Sequence, residues 1–335
     1  MRLSSQKMED SFALLGPGFG EGWTLISGLH ACGPEEAMLV FAPYEARGGQ
    51  ARCFRGERSG FETLELDLVP ADLEPRLEAE GHAEAVAAIR EAIAAGDVYQ
   101  VCFTVRARLR EASGAELLAA LGARGVPRFA AWARLPGGPE IVSGSPELFF
   151  AVDGARVRSQ PMKGTAHPAR LAELEASEKD RAELAMITDL IRNDLTPLCR
   201  PRSVRVENER RFLPLPYAVQ TVSDVEGELL PGIGALEVLD ALHPGGSITG
   251  APKRAAMEMI GRLECSPRGP YCGSLGLLDG AAATFSILIR TAFRDGGGWV
   301  YGTGGGIVYD SDAGQELDEV RVKLEALRCA TPRCG

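Results

Sequence analysis

Lys163 is the residue of this sequence whose type and setting first suggest chemistry. The chain has 36 basic residues. Only five of them are lysine: Lys7, Lys163, Lys179, Lys253 and Lys323. Because a desolvated lysine can become a nucleophile whereas arginine stays charged, a lysine retained among arginines is a candidate catalyst. Pro161 fixes the backbone before it and Gly164 loosens it after, so a surface lysine in a turn is the alternative.

Paired carboxylates recur on two predicted helices. Asp180 and Glu183 are three residues apart in a helix predicted over 172–196, and Glu316 and Glu319 share a face with Lys323 in one predicted over 313–328. Two such helices could hold a hard cation such as Mg²⁺, which takes few protein carboxylates plus water and substrate oxygens. A solvated helix surface has the same spacing, and spacing alone does not decide between them.

Glu147 is predicted at the start of one strand, and Arg290 near the end of another. Glu147 follows Ser145-Pro146 at a strand start and could act as a general acid if burial raises its pKa. Arg290 ends an apolar run within a strand predicted over 284–292, where a guanidinium suits bidentate binding of a carboxylate. An edge carboxylate and a salt bridge are the ordinary alternatives.

Two glycine-rich segments could approach an anion through their backbone N–H groups. The run from Gly302 to Gly306 precedes an apolar segment rather than a helix, so it is not a dinucleotide motif, and a glycine turn is the alternative. In the segment 245–253, Ser247 or Thr249 could cap a helix predicted over 252–263, whose N-terminus would be an anion site.

Composition narrows the classes of function. The net charge of −10 disfavours nucleic acid or an anionic membrane as a partner, and 45% hydrophobic residues suffice for a full core. The eight cysteines include no C-x-x-C pair and the four histidines are scattered, which argues against zinc. The first ten residues have no apolar signal region, so a cytoplasmic protein with reduced thiols is predicted.

The predicted elements favour an α+β fold with large antiparallel sheets, because strands cluster between helices rather than alternating with them. Residues 1–78 are interpreted as a short N-terminal region of the same sandwich, and residues 79–330 as the catalytic domain. Further strands are predicted at 97–105, 128–134, 146–152, 155–160, 203–207, 218–228, 273–278 and 298–309, and further helices at 83–95, 115–123 and 234–242.

The order of the motifs is more specific than any one of them. Gly96-Asp97-Val98-Tyr99-Gln100, Pro161-Met162-Lys163-Gly164-Thr165, Gly246-Ser247-Ile248-Thr249-Gly250-Ala251-Pro252-Lys253 and Arg268-Gly269-Pro270-Tyr271-Cys272-Gly273 follow one another in the chain. Together with the acidic helices, this succession over about residues 80–328 resembles the chorismate-utilising enzymes. The resemblance implies two large antiparallel sheets packed as a sandwich with helices outside.

The resemblance also implies roles for residues. Glu183 and Glu319 match Mg²⁺ ligands, with Asp180 and Glu316 beside them, and Glu147 matches the acid that assists loss of the C4 hydroxyl. The substrate would contact the following positions, several through its carboxylates: Gln100, Thr165, Gln220, Thr249, Arg290, Gly304, Gly305, Gly306 and Lys323.

Two positions separate the branches of the family. Isochorismate and salicylate synthases have a lysine where this chain has Gln100, which disfavours addition of water. Anthranilate synthases have a small residue at Lys163, whereas aminodeoxychorismate synthases have lysine there. The resemblance therefore favours amination of chorismate at C4 through a Lys163 adduct at C2, leading towards 4-aminobenzoate and folate. Anthranilate synthase and a non-catalytic chorismate-binding protein are the alternatives.

Other features of the resemblance concern the partner and departures from the pattern. No glutaminase motif is present, so a separate glutamine amidotransferase or free ammonia is expected to supply nitrogen. Gln220 stands where many members have histidine, and Cys102 replaces an asparagine. The N-terminal region is short for the family, so feedback by tryptophan is not expected.

Overall fold

The computed structural model describes residues 11–62, 64, 72–215, 218–325 and 327. Within these ranges it contains seven α-helices and eighteen strands. The helices are α1 (His82–Ala95), α2 (Gly114–Leu121), α3 (Leu171–Ala176), α4 (Glu178–Leu195), α5 (Ala235–Leu242), α6 (Lys253–Leu263) and α7 (Ala313–Glu325).

The strands lie between these helices in clusters. They are β1 (Phe12–Leu15), β2 (Trp23–Ala31), β3 (Leu39–Ala42), β4 (Arg52–Phe61), β5 (Arg76–Glu78), β6 (Gln100–Arg108), β7 (Phe129–Arg134), β8 (Glu140–Ser145), β9 (Leu148–Asp153), β10 (Arg156–Ser159), β11 (Met162–Ala166), β12 (Arg205–Leu215), β13 (Ala218–Glu228), β14 (Gly250–Ala251), β15 (Ser274–Asp279), β16 (Ala282–Ile287), β17 (Thr291–Asp295) and β18 (Gly298–Ile307).

Every recorded pairing between these strands is antiparallel, which confirms the predicted α+β class with large antiparallel sheets. The pairings form one path, β13-β10-β9-β16-β15-β3-β4-β2-β1-β7-β8-β17-β18-β6. At one end β11 and β12 pair with β13, and at the other β5 and β14 pair with β6. Hydrogen bonding thus continues through β4, which pairs with both β2 and β3.

Side-chain alternation divides the interior into two apolar cores. Along β1, Ala13 and Leu15 join the larger core, which takes residues from both halves of the strand path, whereas Phe12 and Leu14 join a smaller one. The smaller core is covered by α2 through Leu117. Because successive residues of a strand point to opposite faces, a strand buried on both faces reads as a continuous apolar run.

Two predicted elements are each divided in the structure, and the strand predicted over 203–207 extends to Leu215 as β12. The strand predicted over 284–292 ends at Ile287, and a new strand begins at Thr291, with Arg290 between them at φ 50°. The helix predicted over 172–196 is divided at Ser177 into α3 and α4, because Ser177 caps α4 by accepting from the Asp180 N–H. The glycine run lies in β18, which confirms the strand predicted over 298–309 and excludes the alternative of a glycine turn.

The described part of the N-terminal region pairs with the rest of the chain. β1 pairs with β7, and β3 pairs with β15. Residues 65–71, which lie before the expected boundary at 78, are outside the described ranges, and the two-part division stays a prediction. Of the helices described, none combines the length and apolar character that crossing a membrane requires.

Candidate active site

Gly305 and Gly306 of β18 form the floor of a cluster of polar side chains. A Cβ at Gly306 would lie 2.0 Å from Gln100 Nε2 and 3.5 Å from Lys163 Nζ, so only glycine leaves room for the Gln100 amide. Gln100 is 1% exposed, and neither polar atom of its amide has a hydrogen-bond partner. A buried amide without partners is costly unless a ligand satisfies it, which fits the predicted substrate-binding role.

Lys163 lies in a strand rather than in a turn. Lys163 is in β11 and pairs with Thr221 of β13, and the register shifts between Lys163 and Thr165. Gly164, at φ +76°, occupies that bulge, a conformation that favours glycine. The Lys163 side chain is 15% exposed, and its Nζ lies 3.6 Å from Glu183 Oε2. The alternative of a surface lysine is therefore excluded by its burial.

Two of the predicted acids, both on α7, approach the same glycines, whereas Glu183 of α4 lies against Lys163. A Cβ at Gly305 would lie 3.3 Å from Glu316 Oε2 and 4.0 Å from Glu319 Oε1. Lys323 Nζ donates to the Gly304 carbonyl at 2.6 Å and is 2.8 Å from Glu319 Oε1. Burial raises the pKa of Glu319, but Lys323, together with more distant lysines, outweighs burial and leaves it below its usual value.

These acids supply only carboxylate oxygens, the donors that Mg²⁺ prefers. Asp180 also belongs to this group, because its Cγ would lie 2.8 Å from a Cβ at Gly164. Among the described residues, no set of three or more His, Cys, Asp or Glu side chains is gathered closely enough to hold a metal ion. Since Mg²⁺ usually keeps several waters and binds through one or two carboxylates, the donor chemistry fits this cation.

Glu147 is a buried acid with a hydroxyl partner. It is 3% exposed, and Ser247 Oγ donates to its Oε1 at 2.8 Å. Burial raises its pKa to about 7, against the opposing effects of the Ser247 hydrogen bond and the Lys163 charge. A carboxyl with such a pKa can donate a proton near neutral pH, as predicted from its position.

The remaining predicted residues differ in how they join the cluster. Gln220 Nε2 donates to Thr165 Oγ1 at 3.1 Å, while Gln220 Oε1 is buried without a partner. Thr249 is fully buried and donates its hydroxyl proton to the Gly245 carbonyl at 2.9 Å, so that proton stabilises its own loop. The Arg290 carbonyl accepts from the Gly144 N–H, three residues before Glu147.

The predicted capping of α6 was wrong. The helix follows Pro252, and no side chain caps it. Ser247 instead reaches Glu147, and Thr249 bonds within its own loop. The helix N-terminus therefore lacks the hydroxyl caps on which the anion-site interpretation depended.

A buried ion pair that was not predicted from the sequence connects two segments that carry site residues. Arg268 Nη2 lies 2.7 Å from Glu264 Oε1, and the side chains are 2% and 7% exposed. Arg268 also donates to the carbonyls of Ile248 and Cys102, at 2.6 Å each. The pair thus joins the loop of Ser247 to the strand of Gln100. Arg268 lies in a quoted motif, but nothing in the sequence linked it to Glu264.

The chain belongs to the chorismate binding enzyme family, whose model matches residues 44–328. This confirms the resemblance stated from the motifs. An α+β structure in which acids and a partly buried lysine surround two glycines of one strand thus belongs to the chorismate-utilising enzymes.

Relatives within the family carry different names. Anthranilate synthase component 1 of Streptomyces coelicolor is 38% identical over 260 residues, 75% of this chain and 51% of that protein. Aminodeoxychorismate synthase component 1 of Bacillus subtilis is 35% identical over 273 residues, 75% and 55% respectively. The chain thus spans about half the length of these relatives.

The fold is that of a solved relative. The crystal structure of anthranilate synthase component I from Streptococcus pneumoniae has a TM-score of 0.73 and 24% identity, and the match covers 89% of this chain and 82% of that one. At this identity the likeness concerns the fold alone.

Proposed function

We propose that this chain catalyses the amination of chorismate to 4-amino-4-deoxychorismate, as an aminodeoxychorismate synthase component I. The observation that carries the proposal is the position of Lys163, whose amine lies beside the Gly306 floor and the unpartnered Gln100 amide. The Lys163 side chain is only 15% exposed and lies within the cluster, and the proposal requires that its amine lose its proton before it attacks.

The chemistry divides into two displacements. The neutral amine of Lys163 forms a bond to C2 of chorismate, the ring double bonds shift, and the C4–oxygen bond breaks. Glu147 gives its proton to the departing hydroxyl, which leaves as water. Ammonia then forms a bond to C4, the electrons shift back, and the C2–nitrogen bond breaks to free Lys163. The added ammonia loses a proton, which restores the acid form of Glu147.

Other residues bind and orient the substrate. Gln100 and Gln220 each hold at least one buried amide atom that lacks a partner and could bond to chorismate. Arg290, Lys323 and the backbone of Gly304 to Gly306 would hold carboxylates. Glu183 and Glu319, flanked by Asp180 and Glu316, would hold Mg²⁺, which when bound neutralises substrate carboxylate charge and fixes its pose.

Nitrogen would come from a separate glutamine amidotransferase or from free ammonia, and the protein would act in the cytoplasm. No nucleic acid or membrane takes part in this reaction. The product would require a separate lyase to become 4-aminobenzoate, a precursor of folate.

The test incubates the protein with chorismate, Mg²⁺ and ammonium and resolves the products by chromatography. We expect a product that becomes 4-aminobenzoate only after aminodeoxychorismate lyase is added. Lys163→Ala should abolish this product, with Arg181→Ala, which removes an exposed cation of α4, as a control.

Anthranilate synthase is the second candidate, because the Streptomyces coelicolor relative of that name has the higher identity of the two. Fluorescent anthranilate formed directly, without the lyase, would establish that reaction and defeat the primary proposal. Chorismate binding without any turnover would instead indicate a non-catalytic protein.

A further inference from the structure

Ser247 contacts the acid of the proposed reaction but has no part in the chemistry described so far. Its Oγ lies 2.8 Å from Glu147 Oε1, although the two residues are one hundred positions apart in the chain. The Glu147 backbone is held as well, since its N–H donates to Ser145 Oγ at 3.2 Å. Hydrogen bonds thus restrain Glu147 through both its backbone and its side chain.

We propose that Ser247 is a positioning residue that selects which oxygen of Glu147 delivers the proton. Its hydroxyl holds Oε1 as an acceptor, and Oε2 is left to carry the proton towards the C4 hydroxyl of the substrate. The inference rests on the proposed function, because it specifies how the general acid of that reaction is oriented.

The direction of the hydrogen bond follows from the ionised state. A carboxylate accepts and cannot donate, so the Ser247 hydroxyl must be the donor whenever Glu147 has lost its proton. When Glu147 is protonated again and this bond is retained, the accepting Oε1 is favoured as the carbonyl oxygen of the acid. The new proton therefore goes to Oε2. Ser247 thus removes an alternative in which the proton points away from the substrate.

The loop that carries Ser247 is fixed on both sides. Thr249 donates to the Gly245 carbonyl at 2.9 Å, and Arg268 donates to the Ile248 carbonyl at 2.6 Å. Arg268 is in turn paired with Glu264, whose Oε1 accepts from the Thr104 N–H. A hydroxyl on a segment restrained in this way keeps its direction, as preorganised proton transfer requires.

Burial and two side chains act on the pKa of Glu147. Ser247 contacts it directly from its loop, Lys163 acts through its charge from β11, and burial supplies the largest effect. Of these, only the Ser247 contact can be removed without adding or deleting a charge. Ser247→Ala therefore tests the orientation of the acid by itself.

The experiment compares Ser247→Ala, Ser247→Cys and Ser247→Thr with the wild type and with Ser223→Ala. Ser223 serves as the control, because it is a buried serine whose hydroxyl donates to a backbone carbonyl, that of Asn208, rather than to Glu147. An infrared difference titration follows the Glu147 carboxyl without substrate, and Glu147→Gln identifies its band. Steady-state kinetics of amination then give kcat and KM.

In Ser247→Ala we expect the Glu147 pKa to rise by about one unit, because a hydrogen bond to the ionised form is lost. We expect kcat to fall about tenfold with KM unchanged. Ser247→Thr should restore both values, and Ser247→Cys, a weaker donor, should lie between. Ser223→Ala should leave the titration of Glu147 unchanged.

An unshifted infrared titration in Ser247→Ala and Ser247→Cys would overturn the proposal. So would an equal fall in kcat for Ser223→Ala, since that would indicate a general effect of lost buried hydroxyls. If the wild type makes no aminated product, the proposed function fails, yet the infrared titration still tests the contact between Ser247 and Glu147.

Discussion

The two ends of the candidate site differ in how their ionisable side chains are stabilised. At the end formed by α4 and α7, Lys163 is paired with Glu183 and Lys323 with Glu319, so opposite charges are held within 3.6 Å and 2.8 Å. At the other end Glu147 has a neutral hydroxyl for a partner and is 3% exposed. Paired charges tolerate partial exposure, whereas an acid kept protonated requires burial.

The difference assigns a different source of reactivity to each end. In the proposed mechanism, position is the main contribution at the Lys163 end, because the amine would act on a ring bound beside Gly306. At the Glu147 end, the environment is the main contribution, because removal of water brings the pKa of the acid to about 7. The two ends are not independent, because the Lys163 charge also lowers the pKa of Glu147.

The largest effect is expected at the Lys163 end. Lys163→Ala should lower the rate of aminodeoxychorismate formation at least about 10⁴-fold, because it removes the proposed nucleophile. Formation of some anthranilate in its place is the expected secondary change. The measurement is product analysis after incubation with chorismate and ammonium. Turnover equal to that of the wild type would remove Lys163 from the mechanism.

Glu147→Gln should lower kcat by about 10²–10⁴-fold, because it removes the proposed general acid. The amide keeps the size of the side chain and cannot give a proton to the departing hydroxyl. The measurement is the rate with saturating chorismate and ammonium. A kcat within a few-fold of the wild type would assign the acid elsewhere.

Glu147 also predicts how stability depends on pH. Burial raises its pKa from 4.5 to about 7, so the folded protein binds this proton more tightly than the unfolded chain. Its contribution is fully present below about pH 4.5 and is lost as pH rises through about 7. Relative to Glu147→Gln, the wild type should lose about 3 kcal/mol of unfolding free energy over that window. Urea unfolding at pH 5 and pH 8 measures this, and parallel changes in both proteins would contradict it.

The smallest effects are expected at the glycine floor between the two ends. Gly306→Ala should lower kcat/KM by roughly tenfold or more, because its Cβ would lie 2.0 Å from Gln100 Nε2 and displace the amide. Gly305→Ala is the matched control, because its nearest neighbour is Glu316 Oε2 at 3.3 Å. Chorismate titration and kinetics compare the two. An effect of Gly305→Ala as large as that of Gly306→Ala would show that the amide is not what the glycine accommodates.

Much of the fold could be predicted from local patterns. The strand β13 and the helices α1, α5 and α6 agree with prediction within a few residues. The spacing of their apolar residues is typical of a strand or of a helix. The break at Arg290 could not be predicted, since apolar residues continue on both sides of it. Nothing in the composition of the segment indicates a positive φ at an arginine. The division between α3 and α4 depends on a single serine cap.

The site was accessible from the sequence mainly through the order of its motifs. Individual residues such as Glu319 fit a solvated helix surface as well as a functional site. Only their approach to Gly305 and Gly306 distinguishes these two interpretations. The partner of Glu147 was missed because Ser247 lies one hundred residues away and suggested a helix cap. Long-range pairs of this kind depend on how the strands are arranged in space, which no local pattern encodes.

The strand path has a consequence for how the protein acquires activity. Lys163 belongs to the strands at one end of the path and Gln100 to those at the other, yet both side chains meet at Gly306. The site thus forms where the two ends of the strand path meet. These ends can come together only after the intervening strands are in register. Contacts so distant along the chain form slowly. Recovery of chorismate binding during refolding should therefore lag behind recovery of secondary structure, so that function reports the last step of assembly.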